Sequence, residues 1–544
     1  MKTFSTARML AFAALLGLAA GCDSFLDKDP LGTVTQLNLF NDATNATQAV
    51  NAVYDVAGWD QGPKFGVAEN VSVSFDWMFG DVLSDDAEKG SSDSDFGAIT
   101  ELKTWSTPPT NAIVSSWWVN NFTGIARANI VINNIDAGTI DAALKERLKG
   151  EALFLRAYFY FNLVKIFGGV PLFEKAVLPT DAANVTRSTI AETYAFIEKD
   201  LKAAAAALPE KGTYAATDAG RATKGAANGY LARVIMYQLG TDNTNNHTWQ
   251  EVYDLTNTVI TSNQYSLQPN YAAIHQVIGE NSSESLFEIQ FAASNDSYGP
   301  ISTGTTSNVF QNNRATFGYG FNNPTQSLYN EFEPNDPRRE VTFIRNNDVV
   351  LGVVNPVDPA FSATGYLNRK VAIAPPAAPQ SAGQNLRKLR YADILLMKAE
   401  AAAQLNRSGE AVTLVNQVRQ RARMSTRPPG TTVGAAATYA PANTPAGTLP
   451  DIAALSGPAL LTAIWHERRV EFGGESLRFW DLVRTGRYFN VLPTAPLTPS
   501  NPVDVRANAL RHSITTGVVN PIPLLPIPIN DAQVWKVPQN PGYN

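Results

Sequence analysis

The feature that most limits the fold of this chain is a helical spacing of apolar residues that returns along much of its length. Leu144, Leu148, Ala152, Leu155, Phe159, Leu163 and Ile166 step by three or four positions, as do Trp118, Phe122, Ile125, Asn129, Ile132 and Ile135. Side chains at that spacing share one face of an α-helix, so each segment needs a neighbour to cover its stripe. Helix ends are legible as well. Gly168-Gly169 followed by Pro171 is a stop signal, because glycine accepts the backbone turn that ends a helix and proline cannot continue one. Thr189 with Glu192, and Thr248 with Glu251, have capping-box spacing and start two further helices. Helix pairs joined by short loops recur over residues 41–260 and 388–486, and the pair from Tyr391 to Met424 has the length of a tetratricopeptide unit. Spacing alone allows either a bundle or a superhelix.

Between residues 262 and 386 the pattern changes to Asn, Gly, Ser and Pro punctuating short apolar pieces, which reads as a loop-rich insertion with short strands. One piece, "SLFEIQFA" from Ser285 to Ala292, alternates like a strand. A second irregular stretch runs over 425–450, and the Pro-rich tail, about 490–544, is expected to be extended. Long ordered loops in a compact body usually carry function. The ligand surface is therefore sought in the insertion and in the irregular segment 77–110.

The N-terminus joins a positive start, a short apolar run and small residues to Cys22, the only cysteine in 544 residues. That is a secretory signal over residues 1–21, too short to cross a bilayer core. A single cysteine cannot form a disulfide within the chain, and its position fits a lipobox, with Cys22 as the lipidation site; the plainer alternative is a cleaved signal with an incidental cysteine. The remaining residues, 22–544, are expected to form one body. A net charge of −6 argues against a nucleic-acid partner.

Markers of catalysis are missing. The four histidines fall in no HExxH spacing, and there is no Walker loop, no GxGxxG after a strand and no GxSxG elbow. Paired carboxylates of the glycosidase kind can lie far apart in sequence and stay open at this point. "GDVLSDDAEKGSSDSD", Gly80 to Asp95, is read as a solvated acidic loop, with calcium at Asp85, Asp86, Asp93 and Asp95 as the alternative; no other cofactor is expected. From His466 to Arg487, Glu467, Arg468, Glu471, Arg478, Asp481 and Arg484 alternate in sign at helical spacing. Such a pattern is expected to form a packed ion-pair network between two helices.

"ERRVEFGGESLRFWDLVRTGR" (467–487) resembles the C-terminal signature of the RagB/SusD family of outer-membrane nutrient-binding lipoproteins. "CDSFLDKDP" at the mature start, "ARANIVINNI" (126–135), "GEALFLRAYFYFNLVKIFGGVPL" (150–172), "LRYADILLMKAEA" (389–401) and "PIPINDAQVWKVPQNPGY" (526–543) agree, in the expected order. The resemblance implies a mainly α fold: tetratricopeptide-like helix pairs forming a superhelical scaffold, with a loop-rich irregular half containing short β-strands. It implies a lipid anchor on the outer membrane facing the cell exterior, with Asp23 and Asp27 similar to the family's surface-export signal. The implied partner is a SusC-like TonB-dependent transporter, to which captured oligosaccharides or peptides are delivered. No enzyme activity is implied.

The family blocks carry no ligand residues, so the site candidates rest on location: Trp77, Lys89, Asp93 and Trp105, then Tyr298, Asn313, Phe317, Tyr319 and Phe321. Aromatic faces stack on sugar rings, and polar side chains bond their hydroxyls. The polar, Pro-rich flank "KTWSTPPT" predicts an exposed Trp105. Phe317, Tyr319 and Phe321 alternate in "NNRATFGYGFNNP" and would project to one side of an extended segment, or pack inward. Trp117, Trp118, Trp465 and Trp480 sit on helical faces and are assigned to packing. The alternatives to a glycan-capturing lipoprotein are a peptide-binding RagB-like member, a glycan-cleaving enzyme on a helical scaffold and a scaffold that binds only protein.

Overall fold

The computed structural model describes residues 39–59, 73–175, 184–242, 244–293, 303–373, 382–425, 449–494 and 504–543. Cys22 and its signal, Tyr298 and nearly all of 425–450 lie outside them. The protein is mainly helical. Its labelled helices are α1 (Ala43–Gly58), α2 (Trp77–Gly80), α3 (Gly97–Lys103), α4 (Ala112–Asn134), α5 (Ala142–Phe167), α6 (Ile190–Ala207), α7 (Lys224–Thr241), α8 (Trp249–Thr261), α9 (Ser307–Gln311), α10 (Pro337–Thr342), α11 (Tyr391–Gln404), α12 (Ser408–Arg423), α13 (Gly457–Phe472) and α14 (Arg478–Arg484). The strands that matter for the site are β1 (Ala87–Gly90), β2 (Ser285–Ile289), β3 (Phe321–Pro324) and β4 (Leu386–Arg390). No helix among the described residues is long and apolar enough to cross a membrane.

Helix α5 begins where the Asp141 carboxylate accepts the Ala143 and Leu144 amides, and ends at Gly168, whose φ of +72° few other residues adopt. Its second half is buried nearly all round, since α4 and α6 flank it and α1 packs on it as well. The two capping boxes at Thr189 and Thr248 form as the sequence predicts and start α6 and α8. From α4 to α8 each helix packs on the next, and α8 then packs on α11, which pairs with α12. The helical stack thus continues across the 262–386 insertion as if that segment were absent. This continuity is what a tetratricopeptide-like scaffold requires, and a chain of nearest-neighbour helix contacts is how such arrays bury their stripes. The larger core runs through α1 to α7, and a second lies between α11, α12 and α13.

In the irregular parts one expectation holds and one is corrected. The strand expected within Ser285–Ala292 forms as β2, which pairs antiparallel with β4 and is buried at all five positions. Phe287 enters the rings of Phe154, Tyr158 and Tyr230, while the Glu288 carboxylate is covered and accepts from the Asn385 amide at 3.0 Å. The tail is not simply extended: Val505–Arg511 and Ile529–Trp535 are helical, and Leu524, Leu525 and Ile527 are buried. The Leu525 amide donates to the Ile166 carbonyl, and the Trp535 ring lies 5.8 Å from Trp118, so the tail seals the end of α5.

The expected charge network is present and reaches further than two helices. Arg468 on α13 donates to Asp481 on α14 at 3.0 Å, and Arg484 joins Asp481 to Glu400 on α11. Glu467 and Glu471, both fully buried, face Arg338 on α10 at 2.6 and 3.1 Å. Arg419 and Arg421 on α12 and Arg390 on β4 complete their shells. These pairs bind the loop-rich half to the later helices. Trp117, Trp118 and Trp480 are buried as assigned, and Trp465 is partly covered beneath the Arg487 guanidinium.

Candidate functional site

The two loop regions singled out in the sequence meet in space. β1 pairs antiparallel with β3, placing Gly90 opposite Phe321 and Glu88 opposite Asn323. Gly90 has φ +72°, and a β-carbon there would lie 2.3 Å from the Gly320 carbonyl oxygen, so this crossing demands glycine. Behind the pair, Phe310 stacks on Phe321 at 5.7 Å, meets Phe75 edge-on at 4.9 Å and lies 6.3 Å from Phe96. Trp77 backs Phe321 at 6.4 Å. The outermost ring of this cluster is Tyr319, 36% exposed and 5.0 Å from Phe310. A rigid aromatic backing holds one tyrosine at the surface with little rotamer freedom left to lose on binding.

Polar groups rim that ring. Arg314 forms an ion pair with Asp95, donates to Ser91 Oγ at 2.7 Å and lies with its guanidinium 4.4 Å over the Phe361 ring. Hydrogen bonds from Ser91 and Ser92, then Arg314, hold the Asp95 carboxyl well below its ordinary range, so it stays an acceptor at every physiological pH. Asp93 is exposed on the same loop, and Phe317 is partly exposed beside Tyr319. An exposed aromatic flanked by a cation and a carboxylate that hold each other in place can stack on the apolar face of a sugar and bond its hydroxyls.

The other candidates support the platform rather than form its exposed ring. Lys89 Nζ donates to the carbonyls of Ser92 and Asp95 at 2.8 and 2.6 Å, which ties the loop down, and burial lowers its pKa. Asn313 is buried, donates to the Pro356 carbonyl at 2.9 Å and accepts the Ala315 amide, so it shapes the turn that presents Tyr319. Residues 313–320 form that turn rather than an extended segment, and the alternation ends with Phe321 packed inward at 4% exposure. Trp77 is likewise buried.

Trp105 is the clear correction. It is 1% exposed, with its indole Nε1 donating to the Tyr488 hydroxyl at 2.6 Å, and Tyr488 in turn donating to the Leu83 carbonyl at 2.9 Å. The polar flank misled because the ring's partners lie on Phe479 and Tyr488, hundreds of residues away.

The acidic segment is not a solvated loop throughout. Asp85 receives Arg478 at 2.8 Å and Asp86 receives Arg469 at 2.8 Å, while Asp95 belongs to the platform. Among the described residues no three His, Cys, Asp or Glu side chains gather as a metal site. Of the platform residues, Arg314, Phe310 and Phe361 were not among the sequence candidates. Arg314 adjoins Asn313 and was legible as a charged residue in an aromatic loop; Phe361 carried no local signal.

Comparison with known proteins places this geometry in context. Residues 283–543 match the family model described as SusD family, and residues 25–236 match one described as starch-binding associating with outer membrane. SusD-like protein P2 of Formosa agariphila is 25% identical, with 98% of this chain and 99% of that protein aligned. Surface glycan-binding protein A from Bacteroides fluxus superposes with a TM-score of 0.70 at 25% identity, covering 92% of this chain and 99% of that one. A structure described as a laminarin-binding SusD-like protein gives 0.69 at 26% identity over the same shares of the two chains.

Proposed function

The chain belongs to the SusD family of glycan-binding proteins, and from that premise we propose that it captures oligosaccharide or polysaccharide at the Tyr319 platform and delivers it to a SusC-like TonB-dependent transporter. Cys22 carries the lipid that holds the protein on the outer membrane, facing the cell exterior. The protein binds without cleaving. One observation carries the assignment of the site: segments more than two hundred residues apart converge through β1 and β3 to hold Tyr319 outward beside the Arg314–Asp95 pair.

Two structural relatives are described as glycan-binding and laminarin-binding, which makes a soluble β-glucan the first polymer to try. Native gels cast with a panel of polysaccharides, each lane assayed for released reducing sugar, test the reading. Retardation by a polymer without hydrolysis is the expected result. Hydrolysis would assign an enzyme instead, and retention of peptides alone would assign a peptide carrier. Fractionation of cells carrying Cys22→Ala tests the anchor: the variant is expected in the soluble fraction, and its persistence in membranes would remove the lipobox reading.

A further inference from the structure

Away from the platform, helices α5, α7 and α14 enclose a cavity of about 70 Å³. Lys165, Arg233, Tyr237, Phe161, Trp117 and Trp480 are among its lining residues. That is room for several waters, or for one small ion with a carbon or two attached. The other cations on its wall each face a carboxylate: Arg233 pairs with Asp393, Lys388 with Asp76 at 2.7 Å, Arg468 with Asp481 at 3.0 Å and Arg484 with Glu400 at 2.7 Å. The fifth, Arg387, lies 3.8 Å from Glu288.

Lys165 is different. Among the described residues its ammonium meets no carboxylate and makes no hydrogen bond; it lies 4.3 Å from the Trp480 ring and 4.6 Å from the Phe161 ring. Burial, with Arg233 and Lys388 nearby, pushes its pKa down to about 7 against the pull of Asp76. A second polar group in the same cavity also lacks a partner. Tyr237 is 4% exposed, and among the described residues its hydroxyl has no hydrogen-bond partner. The Phe161 ring touches both neighbourhoods, 6.1 Å edge-on from the Tyr237 ring and 4.6 Å from the Lys165 ammonium. The half-buried Lys165 ammonium and the buried Tyr237 hydroxyl can each donate into this cavity, and a wall with six basic against three acidic side chains favours a negatively charged acceptor there.

We propose that this cavity binds one small monovalent anion, of a size between halide and acetate, held by the Lys165 ammonium and the Tyr237 hydroxyl against the Trp480 and Phe161 rings. The anion completes the charge balance of the α5–α7–α14 junction, and its binding is independent of the glycan platform.

The test uses the purified protein in chloride-free buffer. Sodium bromide or sodium acetate is titrated against sodium gluconate at equal ionic strength while the melting temperature is followed, and crystals soaked in bromide are examined for anomalous scattering. A saturable rise in melting temperature with bromide and acetate but not gluconate is expected, with a bromine peak at hydrogen-bond distance from Lys165 Nζ. Lys165→Met should weaken binding by about ten-fold or more, and Tyr237→Phe by about three- to ten-fold, the usual ratio of charged to neutral hydrogen bonds. Should Lys165→Met fail to fold, the bromine map and Tyr237→Phe decide. Equal responses to all three salts, or bromine found only on the outer surface as an adventitious ion, would overturn the proposal. A bromine peak that survives in Lys165→Met would overturn it as well.

Discussion

Replacing Arg338 with methionine tests whether the buried charge network binds the loop-rich half to the helical scaffold. Arg338 is fully buried on α10 and donates to Asp336 at 2.8 Å, Glu467 at 2.6 Å and Glu471 at 3.1 Å. Methionine fills much of its volume and removes its charge. Taking one partner from a buried ion pair costs about 3–5 kcal/mol, because the charge left behind has lost its compensation. The lower end applies here. Glu467 keeps Arg419 at 2.9 Å and Glu471 keeps Arg390 at 3.1 Å, so Asp336 loses the most. We expect a loss of about 3 kcal/mol, a large share of the roughly 5–15 kcal/mol typical of a folded domain. Urea denaturation followed by circular dichroism reads it as a lowered midpoint. Asp336→Asn in the Arg338→Met background should return part of the loss, because that carboxylate no longer has to be buried beside a missing charge. Glycan affinity at low temperature should be unchanged, since neither residue belongs to the platform. A loss under about 1 kcal/mol would refute the reasoning and show the network to be replaceable by apolar packing.

Three further outcomes follow from the same structure. Trp105→Ala should destabilise the protein by about 3–5 kcal/mol through the lost ring volume and the lost hydrogen bond to the Tyr488 hydroxyl, yet leave glycan affinity unchanged where the protein remains folded; a selective loss of affinity at full stability would return Trp105 to the binding site. Burial alone would lower the His466 pKa, but hydrogen bonds to Glu331 and Glu333 raise it to about 9, above the ordinary 6.5. Its stabilisation is therefore full below pH 6.5 and lost as pH rises through 9, by about 1–2 kcal/mol after allowing for partial exposure; denaturation midpoints of wild type and His466→Gln should converge above pH 9, and a constant gap would contradict this. Gly90→Ala should disturb the β1–β3 crossing, because the added carbon meets the Gly320 carbonyl, and should weaken glycan binding by about ten-fold or more with a smaller effect on the melting temperature; unchanged affinity would separate the crossing from the site.

Local chemistry made the helical half of the protein legible. The α5 stripe, its Gly168 stop and the Thr189 and Thr248 capping boxes are each settled by residues within one or two turns of one another. The loop half was legible only in outline. Phe310, Tyr319 and Phe321 lie close in sequence, so their clustering could be suspected, but which ring faces out depends on the turn that Asn313 builds against Pro356. Trp105 was misplaced because its hydrogen-bond partner is 383 residues distant. Arg314 and Asp95 show the same limit, since neither loop alone announces a pair formed across 219 residues. The strand that carries Glu288 was legible, but its cover by Asn385 and Arg387 comes from about a hundred residues away. Long-range pairing decides these positions, and one sequence without its fold does not display it.

The most direct test of the central claim is the affinity of Tyr319→Ala for the retarding polysaccharide, measured by calorimetry beside wild type and Arg338→Met. Stacking of a sugar on an exposed aromatic is a principal contact of the proposed platform, so Tyr319→Ala should weaken binding by about ten-fold or more while its melting temperature stays within a few degrees of wild type. Wild-type affinity in Tyr319→Ala, with the fold intact, would place the glycan elsewhere on the molecule.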